Sequence, residues 1–252
     1  MKQSTFYYLL RRGLLRGISS AVRKGLVMFN KFTTAGISHP AQGSAEFDGA
    51  SDYIQLNDPF SYTNHTIAAW VYANDTTALK SIFDNRDGSN DGVILCSFTD
   101  ETILYQVNGV NQFSASYPNE WVFAVGTNDG ATQKLYINGS LSVSISNTTS
   151  VSSTTNARIG RESVGSGGYM NGNLANVAIW NRALSSDEIN SVMWKSYDGL
   201  TASETSGLQA WYSLDDITSP AASLANMEQL AADKEATIEN KAAITAAINA
   251  LS

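Results

Sequence analysis

The sequence is poor in the residues that would mark a disulfide-stapled, catalytic or membrane-spanning protein. Its single cysteine, Cys96, cannot form an intramolecular disulfide, and its place in the apolar run 93–96 predicts a buried thiol. With two histidines, His39 and His65, and no Gly-x-Ser-x-Gly motif, no nucleophile with its base and orienting group can be assigned. No run approaches the ~20 apolar residues of a membrane-spanning helix, and we expect no membrane span.

The beginning of the chain has no acidic residues, and the first acidic residue is Glu46. The chain has 16 basic and 23 acidic residues, and the nine basic residues that follow position 31 face all 23 acids, which leaves residues 32–252 with a net charge of −14. This charge repels phosphate backbones, so we expect no specific nucleic-acid partner for the main part of the chain. The seven early basic residues are Lys2, Arg11, Arg12, Arg16, Arg23, Lys24 and Lys31.

The basic arm, residues 1–43, also carries apolar residues at helical spacing between its arginines, from Phe6 to Val22. Four interpretations are open: a targeting presequence, a membrane-surface helix, a nucleic-acid contact, and a docking arm that inserts into an assembly. The arginines interrupt the apolar stretch too early for a good secretory signal peptide. A docking arm uses both the charge and the apolar residues, and we predict it. The expected docking residues are Arg11, Arg12, Arg16, Arg23 and Lys24.

The body of the chain, residues 44–216, contains short strand candidates separated by turn signals. Dipeptides such as Asn108-Gly109 and Asn138-Gly139 tolerate the positive φ angles of tight hairpins. Spacing and turn chemistry together predict antiparallel sheets. The strand candidates are residues 53–56, 66–72, 80–83, 92–98, 103–107, 121–125, 134–137, 141–145 and 174–180.

One helix is predicted inside the body, and more helical structure is predicted in the tail that follows the body. Ser185 can cap the first, Glu188 completes a capping box, and the helix should run through Trp194. The Ala-rich tail, residues 217–252, has sparse apolar residues that predict a helix or a helical hairpin.

Several motifs follow one another in the body in a recognisable order. They are Phe47-Asp48-Gly49, Asp52-Tyr53-Ile54, residues 66–71, residues 135–139, Ile159-Gly160-Arg161 and residues 180–185. No single motif is specific, but together they resemble the successive signatures of laminin-G-like, concanavalin-A-like domains. The resemblance implies an all-β fold, a two-sheet antiparallel jelly-roll sandwich with one short helix, flanked here by the basic arm and the helical tail.

The first strand of that family pattern stands at its end in this chain. Such domains usually open with Gly-Leu-x-Ala-Trp-Tyr-x-Leu-Asp, and here the pattern occupies residues 207–215, after the helix. Strand pairing does not depend on chain order when the termini of a domain lie close together. We therefore predict that Trp211 lies on a strand paired inside the sandwich, and that the domain ends near residue 216.

Glycosidase catalysis would require a pair of carboxylates, and the chain matches only part of the sequence pattern that supplies them. Glycosidases on this fold carry an E-x-D-x-x-E pattern, which places acid and nucleophile on one face of the glycosidic bond. Glu46 and Asp48 match its first two positions, but Ser51 stands at the third. The family resemblance makes Asp48 part of an ordinary turn, and we predict a protein that is not an enzyme.

The loop 84–92 is rich in the hard oxygen ligands that calcium prefers. The candidate ligands are Asp84, Asp87 and Asp91, but Phe98 stands where a calcium loop has its bidentate glutamate, so any site should be weak. The alternative is a solvated hairpin turn. No other cofactor is expected.

Aromatic residues divide into core and surface candidates. Four tryptophans lie in apolar or alternating strand contexts, which favours core packing. Tyr117 and Tyr169 lie beside loop-forming residues and are the candidates for exposed, ligand-binding rings. The four tryptophans are Trp70, Trp121, Trp180 and Trp211.

These observations predict a non-catalytic structural or adhesive protein of a large assembly. Sandwiches of this family that are poor in cysteine and carry terminal arms resemble bacteriophage capsid-decoration, head-fibre or tail proteins. That resemblance implies a virion component assembled in the host cytoplasm, oligomeric or part of a symmetric assembly, which contacts other virion proteins through arm and tail and host-surface glycan through the sandwich. The alternative is a carbohydrate-binding module of a bacterial surface or secreted protein, and a glycosidase or lyase comes third.

Overall fold

The structure, a computed structural model, describes residues 43–117 and 120–214 and the backbone of one short strand pair before them. That pair, β1 (Phe32–Thr33) and β2 (Gly36–Ile37), is antiparallel and belongs to a separate unit spanning residues 1–38. The predicted docking residues and the predicted helical tail lie outside the described residues.

Thirteen strands build the described body, and all their pairings are antiparallel. Nine of them lie on the predicted strand segments. The strands are β3 (Ala45–Asp48), β4 (Ile54–Gln55), β5 (His65–Ala73), β6 (Lys80–Asp84), β7 (Val93–Phe98), β8 (Thr102–Val107), β9 (Val110–Phe113), β10 (Val122–Asn128), β11 (Thr132–Ile137), β12 (Ser140–Ser146), β13 (Arg158–Ile159), β14 (Asn171–Trp180) and β15 (Leu208–Tyr212).

The strands form two sheets of seven and six strands. The seven-stranded sheet has the order β12-β11-β10-β5-β14, with β15 and β3 both paired to β14, and the six-stranded sheet has the order β4-β13-β6-β7-β8-β9. A core of buried apolar side chains from both sheets lies between them. The predicted all-β, two-sheet sandwich is confirmed.

The strand predicted to be displaced in sequence is paired inside the sandwich. β15 pairs with the second half of β14, with Trp211 opposite Ala178 and Ala210 opposite Ile179. β3 pairs with the first half of β14, so two strands from opposite ends of the body complete one edge. The prediction that Trp211 lies on a paired strand is confirmed.

The segment between β14 and β15 contains two short helices, α1 (Ser186–Val192) and α2 (Ala202–Thr205). The predicted capping box of Ser185 and Glu188 is present. The helix ends before Trp194, however, because the indole Nε1 of Trp70 donates to the carbonyl oxygen of Met193 at 3.1 Å and so satisfies it without another turn. Two 3₁₀ turns, Thr99–Glu101 and Tyr197–Gly199, complete the helical elements of the described residues.

Trp70 and Trp180 are fully buried, which confirms their predicted core packing, whereas Trp121 and Trp211 are half-buried. Trp180 Nε1 donates to the carbonyl oxygen of Glu204 at 2.7 Å, and its ring contacts that of Trp211 edge to face. These contacts fix the segment between β14 and β15 to the tryptophan-bearing face of the seven-stranded sheet.

Candidate functional site

In the six-stranded sheet, residues that lie opposite one another on neighbouring strands form rows across the sheet, and an apolar row alternates with a mainly polar one. The row formed by Ile54, Ile159, Phe83, Leu95 and Tyr105 faces the core. Because successive side chains of a strand point to opposite faces, the neighbouring row points away from the core. This outer row consists of Gln55, Arg158, Asp84, Ile94, Gln106 and Asn111, one residue from each of the six strands.

Arg86 ties the middle of the outer row together. Its Nη2 donates to Asp84 Oδ2 at 2.8 Å and its Nη1 to Gln106 Oε1 at 3.2 Å. Asp84 and Gln106 flank Ile94 in the row, so the guanidinium bridges over Ile94, which is fully buried. Nη2 also donates to Glu162 Oε1 at 3.0 Å, which anchors the loop that follows β13.

The electrostatics of this bridge reflect its burial. Removal from water raises the pKa of Asp84, although Arg86 opposes the shift. Burial also works against the charge of Arg86, but the carboxylates of Asp84 and Glu162 outweigh it and raise the pKa of Arg86. Asp84 and Arg86 thus form an ion pair that is largely closed to solvent.

At the β4 and β13 end of the outer row, two arginines and two tyrosines form a partly exposed cluster, which we call the Arg-Tyr cluster: Tyr53, Arg158, Arg161 and Tyr169. The guanidinium carbon of Arg161 lies 5.1 Å from the Tyr53 ring centre and 4.8 Å from that of Tyr169. The two rings meet edge to face at 6.3 Å, and Arg158 lies 5.6 Å from Tyr53. Cation-π contacts at these distances hold a cation and its aromatic neighbours together.

The loop from Arg161 to Tyr169 brings these two residues side by side. Met170 N donates to the carbonyl oxygen of Gly160 at 2.8 Å and closes the loop at its base. Gly160 has φ +83°, and a Cβ there would lie 2.4 Å from the Phe47 ring, so only glycine fits this turn.

Arg158 is held rigidly beneath the loop. Its Nε donates to Gln55 Oε1 at 2.8 Å, and its Nη1 donates to the carbonyl oxygens of Glu162 and Ser163 at 2.8 and 3.1 Å. Arg161 is less constrained, with a hydrogen bond from Nη2 to the Gly165 carbonyl oxygen at 3.2 Å. The cluster thus presents one fixed and one adaptable guanidinium between aromatic rings.

Of the two tyrosines singled out from the sequence, the structure brings Tyr169 into this cluster and Tyr117 into the core. Tyr117 is 6% exposed, and its hydroxyl lies 3.2 Å from both Ser97 Oγ and the Thr102 carbonyl oxygen. The expectation of an exposed ring at Tyr117 is wrong, because Tyr117 N donates to the Glu101 carbonyl oxygen and folds the loop back against the sheet.

The three candidate calcium ligands do not converge. Asp84 is engaged by Arg86, Asp87 Oδ1 accepts from the backbone N–H groups of Ser89 and Asp91, and the Asp91 carboxylate accepts from Ser152. Within residues 43–117 and 120–214, no group of three histidine, cysteine or acidic side chains is placed to hold a metal ion. The geometry corrects the expectation for Asp84, whose oxygens point to Arg86.

The carboxylate pair Glu46 and Asp48 is exposed on β3 of the other sheet. Asp48 Oδ1 accepts from the backbone N–H groups of Ala50, Ser51 and Asp52, and these bonds lower the pKa of Asp48 strongly. The structure therefore places Asp48 in its turn, where its carboxylate accepts the hydrogen bonds that form that turn.

No local signal in the sequence marks Tyr53, Arg158 or Arg161 as site residues. Tyr53 lies in a predicted strand and Arg161 lies just after β13, and their proximity arises from pairing between β4 and β13, about a hundred residues apart. A shallow cleft lies between the loops 76–77 and 99–101, but its lining contains no ring and no cation. Among the described residues no helix is long and apolar enough to cross a membrane.

Comparison with solved structures supports the sandwich fold. A Bacteroides ovatus protein provisionally described as carbohydrate-binding superposes with a TM-score of 0.58 and 17% identity, covering 71% of this chain and 53% of that one. The carbohydrate-binding module of a Ruminococcus gnavus sialidase, solved with α2,3-sialyllactose, gives a TM-score of 0.52 and 15% identity, covering 60% of this chain and 97% of the module. The chain thus spans about half the length of the Bacteroides protein.

No curated protein matches the chain in sequence. A family match does exist, and it spans residues 48–190, more than half of the chain, from the Asp48 turn through the Arg-Tyr cluster and into α1. The chain belongs to the laminin-G-like family of the concanavalin A-like lectin/glucanase superfamily.

Proposed function

We propose that the protein is a non-catalytic carbohydrate-binding module whose ligand sits on the Arg-Tyr cluster. The observation that carries the proposal is the pair of partly exposed rings, Tyr53 and Tyr169, arranged around guanidinium and amide donors at the edge of one sheet. Rings cover the apolar face of a sugar, while fixed polar groups orient its hydroxyls.

Rigid support of the cluster fits a binding role. Arg158 is fixed by three hydrogen bonds and the loop base is closed by Gly160, so little ordering remains to be done when a ligand binds. Solved structures of the same fold include modules described as carbohydrate-binding, which is consistent with this use. A glycan-binding module acts where glycans are displayed, so we place the protein outside the cell or at a cell surface.

The virion interpretation stays a prediction. It depends on the docking arm and the helical tail, both outside the described residues, whereas the Arg-Tyr cluster belongs to the body itself. The predicted virion partners and symmetric assembly depend on the same segments. Calcium binding at Asp87 and Asp91 likewise stays a prediction.

We expect the full chain to bind members of a glycan array, and Tyr169→Ala to weaken that binding roughly threefold to tenfold, because one aromatic contact contributes about 0.5–1.5 kcal/mol. The control is Phe113→Ala, which removes a ring 43% exposed at the far edge of the same sheet and should leave binding unchanged. An array without binding, release of reducing sugar from a bound glycan, or equal losses in both variants would each contradict the proposal.

A further inference from the structure

The described body has few positive charges, and most of them are neutralised. Between residues 43 and 214 there are seven basic residues. Lys80, Arg86, Arg182 and Lys195 each form an ion pair with a carboxylate, and Lys134 lies close enough to Asp129 to lower the pKa of that carboxyl. The two that remain are Arg158 and Arg161.

Both of these arginines lie in the Arg-Tyr cluster. Arg158 uses its donors on neutral oxygens, the amide of Gln55 and two backbone carbonyls. Arg161 donates to one backbone carbonyl, and its Nε is buried without a hydrogen-bond partner. Two guanidinium groups without a carboxylate partner, in a chain segment that is otherwise strongly acidic, concentrate positive potential at one partly exposed spot.

The aromatic rings determine how a ligand can reach Arg161. Tyr53 and Tyr169 both lie within cation-π distance of the guanidinium, so a ligand cannot approach it from the positions of these rings. Nε is buried and Nη2 donates to the Gly165 carbonyl oxygen, so the remaining Nη N–H groups are the ones left for a ligand. Guanidinium N–H groups of this kind bind planar oxyanions with charge-assisted hydrogen bonds.

We infer that the Arg-Tyr cluster selects negatively charged sugars, with the carboxylate or sulfate group of the sugar seated between Arg158 and Arg161 and the sugar ring against the tyrosines. This inference rests on the proposed carbohydrate-binding function and adds its ligand class. Glu162, the neighbour of Arg161 in the sequence, pairs with Arg86 and with neither arginine of the cluster.

The test is an array of matched oligosaccharides that differ in charge alone: a neutral sugar, the same sugar extended by a carboxylate-bearing residue, and the same sugar carrying a sulfate ester. The full chain should bind at least one charged member about tenfold or more above its neutral parent, the range expected for a charge-assisted hydrogen bond. Binding of the carboxylate or of the sulfate member alone identifies which anion the cluster takes. Equal binding of neutral and charged members overturns this inference but leaves the proposed function standing, whereas an array with no binding overturns the proposed function.

Variants separate charge from geometry. Arg161→Gln should lower affinity for the charged sugar about tenfold or more, and Arg161→Lys should recover part of it, because lysine keeps the charge but not the planar fork. Lys134→Gln is the matched control, since it removes one positive charge on the other sheet and should change nothing. Equal losses in Arg161→Gln and Lys134→Gln would mean that net charge, rather than the cluster, drives binding, and would overturn the inference. Arg161 makes one hydrogen bond, so its loss should not unfold the chain, and the melting temperature of each variant checks this.

Discussion

Replacing Arg86 by alanine should destabilise the protein by about 3–5 kcal/mol. The Asp84 carboxylate is fully buried, and without the guanidinium it becomes a buried charge with no counter-ion, although the backbone N–H of residue 86 still donates to it. The Gln106 and Glu162 side chains lose a donor at the same time. Urea denaturation of both proteins, at equal slope, measures the difference.

The Arg86→Ala deficit should shrink as the pH falls. An isolated buried carboxyl has its folded-state pKa raised above its unfolded value, so the folded state takes up the proton first and stability increases toward about pH 4. Adding Asp84→Asn should recover most of the loss at neutral pH.

Lys80→Ala serves as the control, because the Lys80 ion pair with Asp75 is partly exposed and contributes about 1 kcal/mol or less. A cost for Arg86→Ala no larger than for Lys80→Ala would show that the bridge does not support the sheet.

A chain that ends at Gly207 should fail to fold cooperatively, whereas a chain that ends at Leu214 should melt near the temperature of the full protein. The seven residues that distinguish them contain β15, which supplies the partner of the second half of β14. Leu208 and Leu214 are 5% and 2% exposed, and the loss of each large buried side chain costs about 2–5 kcal/mol. Together with the lost strand pairing, this approaches the whole stability of a typical domain.

Calorimetry of the two truncated chains checks this expectation. Because both lack everything after Leu214, the difference between them isolates the displaced strand from the tail. Two similar melting curves would show that β15 is dispensable, and neither chain melting cooperatively would show that the body needs residues beyond 214.

Local sequence signals were sufficient for elements whose structure is decided locally. The Ser185 capping box and the Asn-Gly turns at 108–109 and 138–139 form as predicted, since each depends on residues a few positions apart. Thr201 and Glu204 form the same kind of box at the start of α2, a helix that is not predicted from the sequence. β13 is not predicted either, because a two-residue strand leaves no periodicity to detect.

The candidate site depends on tertiary pairing, which the sequence does not reveal. Gln55 and Arg158 meet because β4 and β13 share a sheet edge, and Tyr53 meets Tyr169 across more than a hundred residues. Loop-forming neighbours suggested exposure for both Tyr117 and Tyr169, yet one loop folds against the core and the other lies at the surface. Local composition cannot distinguish these outcomes, because burial depends on what the rest of the chain places nearby.

The most direct test of the account is an NMR titration of the full chain with the oligosaccharide that binds best on the array. We expect the side-chain Nε–H resonance of Arg161 and the backbone amides of residues 160–169 to shift first and together, followed by the Gln55 side-chain amide. Shifts confined to the loop 84–92, to the cleft at 99–101 or to the seven-stranded sheet would contradict the assignment of the Arg-Tyr cluster as the ligand site.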